Sequence, residues 1–140
     1  MATELTNPQT DRPALRVDGA TFRISKSVTF EAAHAMPGKP DGHPYKNIHG
    51  HSFVLEACVA GRVQPGDEWV EDFAVLTEAL QRAAGKLDHQ MLNEIEGLDV
   101  PTLERICLWA ALQLKPALPG LASVAVSRPT LNERCELILD

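Results

Sequence analysis

The sequence has no surplus of positive charge: 13 Lys and Arg against 19 Asp and Glu give 140 residues a formal net charge of −6. No block of basic residues interrupts that balance. Nucleic acid is therefore excluded as a main partner, because phosphate contacts need clustered Lys and Arg. Long hydrophobic runs are also missing. Nothing approaches the roughly 20 apolar residues of a membrane span, so a soluble protein with no membrane partner is expected. The start, Met1-Ala2-Thr3-Glu4-Leu5-Thr6-Asn7-Pro8, lacks the basic residues and apolar stretch of a secretory signal, which points to the cytoplasm. Cysteine is scarce. Cys58, Cys107 and Cys135 are scattered and odd in number, as expected of reduced thiols and not of a disulfide framework. Internal repeats and low-complexity tracts are absent too. What is there is an ordinary globular composition, 44% hydrophobic and 23% charged, in a chain of single-domain length.

Residues 1–20 are polar, carry Pro8 and Pro13 and show no sustained period. They predict a flexible leader, with 21–140 as one domain. From Phe22 the period is two. Phe22, Ile24, Val28, Phe30, Ala32 and His34 fall on one face, and Arg23, Ser25, Ser27, Thr29 and Glu31 on the other. That is a half-buried antiparallel strand. Pro37-Gly38, Pro40-Asp41-Gly42 and Pro44 make residues 35–47 a loop. A second strand follows, with His49, His51, Phe53, Leu55, Ala57 and Val59 on one parity. Val54 and Cys58 on the other suggest that this second face is covered as well. Gly61, Pro65 and Gly66 predict a hairpin leading to a third strand near Trp69-Val70.

Asp72 suits the N-cap of a helix from Phe73, with Phe73, Leu76, Leu80, Ala83 and Leu87 as its apolar stripe. Thr102, after Pro101, suits the N-cap of a second helix, with Glu104 in its first turn. Leu103, Ile106, Leu108, Trp109, Ala110 and Leu112 make that helix apolar on most sides, so it is expected to be largely buried. Pro116, Pro119 and Gly120 end it. A strand through Val124 and Val126 and a strand-like tail at Leu137, Ile138 and Leu139 complete the order β-β-β-α-α-β, with a closing β. The fold class expected is α+β: an antiparallel sheet with two helices on one face.

Three histidines dominate the search for chemistry. His34 closes the first strand in phase with its apolar face. His49 and His51 stand two residues apart, where a strand points both side chains the same way. Alone, such a pair reads as readily as two exposed strand histidines, or one packed against the core, as it does as a pair of metal ligands. His34 adds a third imidazole on the partner strand. Three neutral imidazoles with a fourth position open suit zinc and a water, whereas magnesium or manganese would want carboxylates. Asp88-His89 has two readings: a turn cap followed by a surface histidine, or a carboxylate-oriented imidazole working as base or acid.

Phe30-Glu31-Ala32-Ala33-His34, His49-Gly50-His51-Ser52-Phe53, Asp72-Phe73, Leu87-Asp88-His89 with Leu92-Asn93, and Pro101-Thr102 followed by Glu104 form an ordered set over residues 22 to about 128. In this set the chain resembles the 6-pyruvoyltetrahydropterin synthase and 6-carboxytetrahydropterin synthase family, of the tunnelling fold. The resemblance implies a four-stranded antiparallel sheet whose edges join between subunits into a β-barrel. It implies zinc held by His34, His49 and His51, and a paired acid–base element in Asp88 and His89. The implied substrate is 7,8-dihydroneopterin triphosphate, with zinc as Lewis acid and triphosphate eliminated. The carboxytetrahydropterin branch also loses acetaldehyde in a retro-aldol step on the route to queuosine and other deazapurines. The Leu87-Asp88-His89 to Leu92-Asn93 run looks closest to that branch.

Two positions depart from the family pattern. The family's catalytic cysteine lies four residues before its His-Gly-His. Here that position is Tyr45, and no cysteine occurs between residues 35 and 57. Tyr45 is either a substitute base, if zinc, Lys46 or His43 lowers its phenol from the usual value of about 10, or a loop aromatic. The family anchors the pterin with a glutamate on its last conserved strand, where this chain has Val126-Ser127-Arg128-Pro129-Thr130. Arginine only donates. Glu133 can substitute if the strand bulges after Pro129. Arg128 otherwise binds a carboxylate or phosphate of a different ligand, or makes a subunit salt bridge. Thr102 lies in the segment that flanks the pterin in the family.

Three functions follow from these observations. The first is a zinc-dependent 6-carboxy-5,6,7,8-tetrahydropterin synthase-like lyase. The second is a divergent paralogue with another pterin-like or anionic substrate, such as side-chain cleavage of dihydroneopterin without a cysteine step. The third is a catalytically silent zinc-binding oligomeric scaffold. A sheet of about four strands leaves two open edges, and the resemblance implies their pairing, so a homo-oligomer is expected, a hexamer built as a dimer of trimers. Light scattering should give several times the chain mass; a monodisperse monomer would contradict it.

Overall fold

A computed structural model of the chain describes residues 15–139, together with Thr6–Asn7 and Arg12–Pro13, which pair antiparallel. Half of the leader expected over 1–20 lies outside the described residues. From Thr21 the elements run β1 (Thr21–His34), β2 (His49–Arg62), α1 (Phe73–Gly85), α2 (Leu103–Leu114), β3 (Leu121–Arg128) and β4 (Glu133–Ile138). The four strands form one antiparallel sheet in the order β1-β2-β3-β4.

The alternation in β1 and β2 sets their register along the full ladder, from Thr21 opposite Arg62 to His34 opposite His49. That pairing puts Phe30, Ala32, Phe53 and Leu55 on a common face, which a slip of one residue would break. Both helices cover this face. α1 packs on β1 and β2, and α2 on β3 and β4. Phe30 and Phe53 stack at 4.9 Å between ring centres, and with Leu55, Val124 and Val126 they meet Leu76, Leu80, Ile106 and Leu114. Asp72 caps α1 by accepting from the Ala74 N–H at 2.8 Å. Thr102 caps α2 by accepting from the Arg105 N–H at 3.1 Å.

The structure corrects three expectations. Residues 63–72 contain no strand, and Trp69 is 63% exposed. A strand there would have needed an edge of β2, and β1 and β3 already occupy both. The fourth strand is the tail, β4, so the order is β-β-α-α-β-β. Second, α2 is not buried all round: Leu108 and Leu112 face outward, as does Phe73 on α1. Third, Val54 and Cys58 are only half-buried, because one layer of helices covers one face of a sheet. The other face carries Ser25, Thr29, Glu31, Ser52 and Glu56.

The three cysteines are free thiols. Burial, with Cys135 alongside, pushes the Cys107 thiol up to about 12, which leaves it an inert core group. Among the described residues no helix is long and apolar enough to cross a membrane.

The core sets one test. Leu80 is fully buried between α1 and the sheet, so Leu80→Ala should cost about 2–5 kcal/mol in urea unfolding, whereas Leu112→Ala, 76% exposed, should stay within about 0.5 kcal/mol of the parent.

Candidate metal centre and active site

The β1–β2 register places His34 opposite His49, with His51 beside Ala32 one step inward. All three side chains lie on the helix-covered face. Their ring centres are 4.6 to 4.9 Å apart, and one ligand nitrogen from each lies within 4.8 Å of the others. His34 is fully buried. Its Nδ1–H donates to the Pro101 carbonyl, 3.2 Å away, just before α2. The His49 Nδ1–H donates to the Asn47 carbonyl at 2.7 Å. Both bonds assign the ring proton to Nδ1 and leave the Nε2 lone pair free. The Nε2 atoms of His34 and His51 are 3.1 Å apart.

Burial pulls His34 down from 6.5 to about 4, against the Pro101 hydrogen bond and with the charges of His49, His51 and Arg128 adding to the fall. His51 is lowered by burial, then by Arg128 and His49, with Glu133 opposing. These imidazoles are therefore neutral near pH 7, the state in which imidazole binds a metal. Three imidazole nitrogens with no carboxylate or thiolate among them fit zinc and leave room for a fourth ligand.

The end of β1 is held by a second segment. Asp88 Oδ1 accepts from the Glu31 N–H at 2.9 Å, the Ala33 N–H donates to the Gln90 carbonyl, and the His89 N–H donates to the Glu31 carbonyl. The Asn93 amide pairs with both backbone groups of Ala35 at 2.8 and 2.9 Å. Residues 88–93 thus lie along the open edge of β1 beside His34. His89 sits at φ +59°, the left-handed region that non-glycine residues enter only when held there. Its Nδ1 lies 2.9 Å from Asp88 Oδ2. The Glu31 N–H and the His89 ring hold the Asp88 carboxyl below the usual carboxylate range. Asp88 is thus an ionised acceptor that orients the imidazole. His89 and His51 both line a cleft of about 570 Å³, with Glu31, Ser52, Met91 and Thr130.

The remaining predicted residues fall into place as follows. Tyr45 is in a short 3₁₀ turn (Pro44–Lys46), half exposed, its ring 6.2 Å from that of His49 and 4.9 Å from that of His43. Arg128 and Glu133 are cross-strand partners, with Arg128 Nε 3.1 Å from Glu133 Oε1. No bulge interrupts the β3–β4 ladder; a 3₁₀ turn, Pro129–Leu131, and left-handed Asn132 bring Glu133 back opposite Arg128. Thr102 caps α2, one residue past the carbonyl that holds His34. Three contributors were not predicted as site residues: the carbonyls of Pro101 and Asn47, and the amide of Asn93. A carbonyl carries no side-chain signal, but Asn93 stood in the quoted Leu92-Asn93 segment.

The family model described as 6-pyruvoyl tetrahydropterin synthase matches residues 23–138. The chain belongs to that family. Within it, a dihydroneopterin monophosphate aldolase of Pyrococcus furiosus is 37% identical over 98 residues, covering 70% of this chain and 79% of that protein. A 6-carboxy-5,6,7,8-tetrahydropterin synthase of Synechocystis is 41% identical over 112 residues, covering 74% and 83%. The 6-pyruvoyl tetrahydropterin synthase of Caenorhabditis elegans superposes with a TM-score of 0.75 at 22% identity, over 88% of this chain and 99% of that one. At that identity the likeness concerns the fold, a four-stranded antiparallel sheet with two helices. The family places the chain among pterin-processing enzymes.

The His34 shift has a measurable sign. Unfolded, this histidine takes its proton near pH 6.5; folded, only near pH 4. Its contribution is complete above pH 6.5 and falls away as pH drops toward 4. Metal-stripped protein should therefore lose thermal stability across that window, and His34→Asn should flatten the loss.

Proposed function

We propose that this protein is a metal-dependent lyase that cleaves the side chain of a phosphorylated 7,8-dihydroneopterin by a retro-aldol step needing no cysteine. The observation that carries this reading is the site's inventory of bases. The Asp88–His89 pair is built and oriented, while the position from which the family's cysteine acts is Tyr45. The name of the 37%-identical relative supports an aldolase reaction in this branch.

His34, His49 and His51 would hold zinc, which supplies Lewis-acid polarisation of the substrate's side-chain oxygens when bound. Asp88 fixes the His89 proton on Nδ1, so Nε2 can take the proton from the hydroxyl on the second side-chain carbon. The bond between the first and second side-chain carbons then breaks. The second carbon becomes an aldehyde, and the electron pair passes into the ring C=N. We assign to the Tyr45 phenol the return of a proton to the first carbon. Thr102 accepts at the α2 cap through its oxygen and keeps an O–H to offer the pterin. The active form is read as a cytoplasmic homo-oligomer.

A second reading, 6-carboxytetrahydropterin synthase acting on dihydroneopterin triphosphate, is favoured by the 41%-identical relative and by the Leu87 to Asn93 run. Product identification separates the two. Zinc-loaded protein given dihydroneopterin monophosphate should release an aldehyde and a 6-hydroxymethyl dihydropterin. Given the triphosphate, the second reading requires acetaldehyde, triphosphate and 6-carboxytetrahydropterin. No turnover of either compound would leave the silent scaffold. His89→Ala should lower turnover by at least about 100-fold, and Tyr45→Phe should slow it less.

A further inference from the structure

The loop between β1 and β2 is built around one ring. The Met36 N–H donates to the Tyr45 carbonyl at 2.7 Å and closes the loop on itself. Within it the His43 N–H donates to the Pro40 carbonyl and the Lys46 N–H to the His43 carbonyl, both at 3.0 Å. Gly42 turns the chain at φ +83°, a conformation open to glycine and costly for most other residues. Lys39 Nζ stands over the Tyr45 ring, 5.7 Å from its centre. The His43 ring packs edge-on against the same ring at 4.9 Å. His43 Nδ1 accepts from the Tyr45 N–H at 3.1 Å, so the proton of the neutral imidazole is on Nε2, a donor. Lys46 is paired with Asp41, whereas among the described residues no carboxylate pairs with Lys39. A chain of net charge −6 thus keeps an unpaired ammonium and a neutral N–H beside a ring whose centre is 6.2 Å from that of His49.

We propose that Lys39 and His43 bind the phosphate at the end of the substrate's side chain, with the Tyr45 ring as the platform that holds both beside the metal centre. The inference rests on the lyase reading above and deepens it, because it names what separates the phosphorylated substrate from free dihydroneopterin. The phosphate is carried by the third side-chain carbon, next to the carbon that becomes the aldehyde. The loop joins His34 to His49, so it borders the three imidazoles at both ends. An ammonium supplies charge, and a neutral imidazole supplies one directed N–H; together they suit the terminal oxygens of a single phosphate monoester. One unpaired lysine in an acidic protein does not match the further charges of a triphosphate. The backbone bonds hold the loop before a ligand arrives, which lowers the ordering cost of binding.

Two measurements on zinc-loaded protein test this. Titration with methyl phosphate, followed through the amide resonances of residues 36–46, should show saturable binding. Lys39→Gln should weaken it at least about fivefold, as should His43→Phe, which keeps a ring against Tyr45. Lys39→Arg should retain it, and so should Lys26→Gln, which removes the same charge from an exposed site on β1. In turnover, Lys39→Gln should lower kcat/KM for dihydroneopterin monophosphate at least about fivefold and leave that for unphosphorylated dihydroneopterin at the parent value. Shifts confined to His49 and His51 would mean phosphate on the metal only. That result, equal weakening by Lys26→Gln, or an equal fall on both substrates would overturn the inference and leave the lyase reading standing. If the parent turned over neither compound, the lyase reading would fall, and the methyl phosphate titration would decide the subsite alone.

Discussion

Three imidazoles with ring centres within 5 Å of one another cannot carry protons together. Each added charge repels the others at short range. The site has to keep these rings neutral and keep one lone pair on each turned inward. Burial favours the neutral form of His34 and His51, and the Pro101 and Asn47 carbonyls, by accepting from Nδ1–H of His34 and His49, leave the Nε2 lone pairs of those two rings free. Much of the local architecture serves this constraint. α2 begins where it does so that the carbonyl preceding its cap reaches His34. The loop before β2 turns so that Asn47 faces His49.

The end of β1 is where the separate pieces of chemistry meet. On one side β2 supplies His49 and His51. On the other, residues 88–93 pair with its edge and bring the Asp88–His89 element with them. Hydrogen bonds to Glu31, Ala33 and Ala35 hold that segment to the same strand that carries His34. Displacing the turn after α1 would therefore disturb the proposed base and the strand end that positions a ligand together. The left-handed His89 backbone is tolerated because its own N–H and the Asp88 carboxylate are both tied to Glu31.

The period-two pattern made β1 and β2 readable, with the shared face of the three histidines, because side-chain parity is a local property. Capping chemistry did the same for Asp72 and Thr102. The strand expected at Trp69-Val70 failed for a non-local reason: its neighbours had no free edge to give. Leu108 and Leu112 were read as core from hydrophobicity, which says how a residue partitions but not on which side the sheet lies. By spacing alone Asp88-His89 reads as a turn cap and a surface histidine, since a turn has no period that would mark a site. Folding ties it to Glu31 while leaving the His89 side chain exposed.

The sequence by itself determined the alternation of strands and helices, the resemblance to pterin synthases and the identity of the three imidazoles, since each depends on residues near in the chain. Tertiary structure alone decided that the Pro101 carbonyl orients His34, that residues 88–93 line the end of β1, and that Arg128 faces Glu133 on the histidine side of the sheet. These are contacts across 57 to 67 positions, or pairings set by a ladder, and no local pattern encodes them. The same limit explains why Tyr45 and Arg128 were legible as departures and not as roles. A substitution is visible in one dimension, whereas what replaces its chemistry depends on what folding brings beside it.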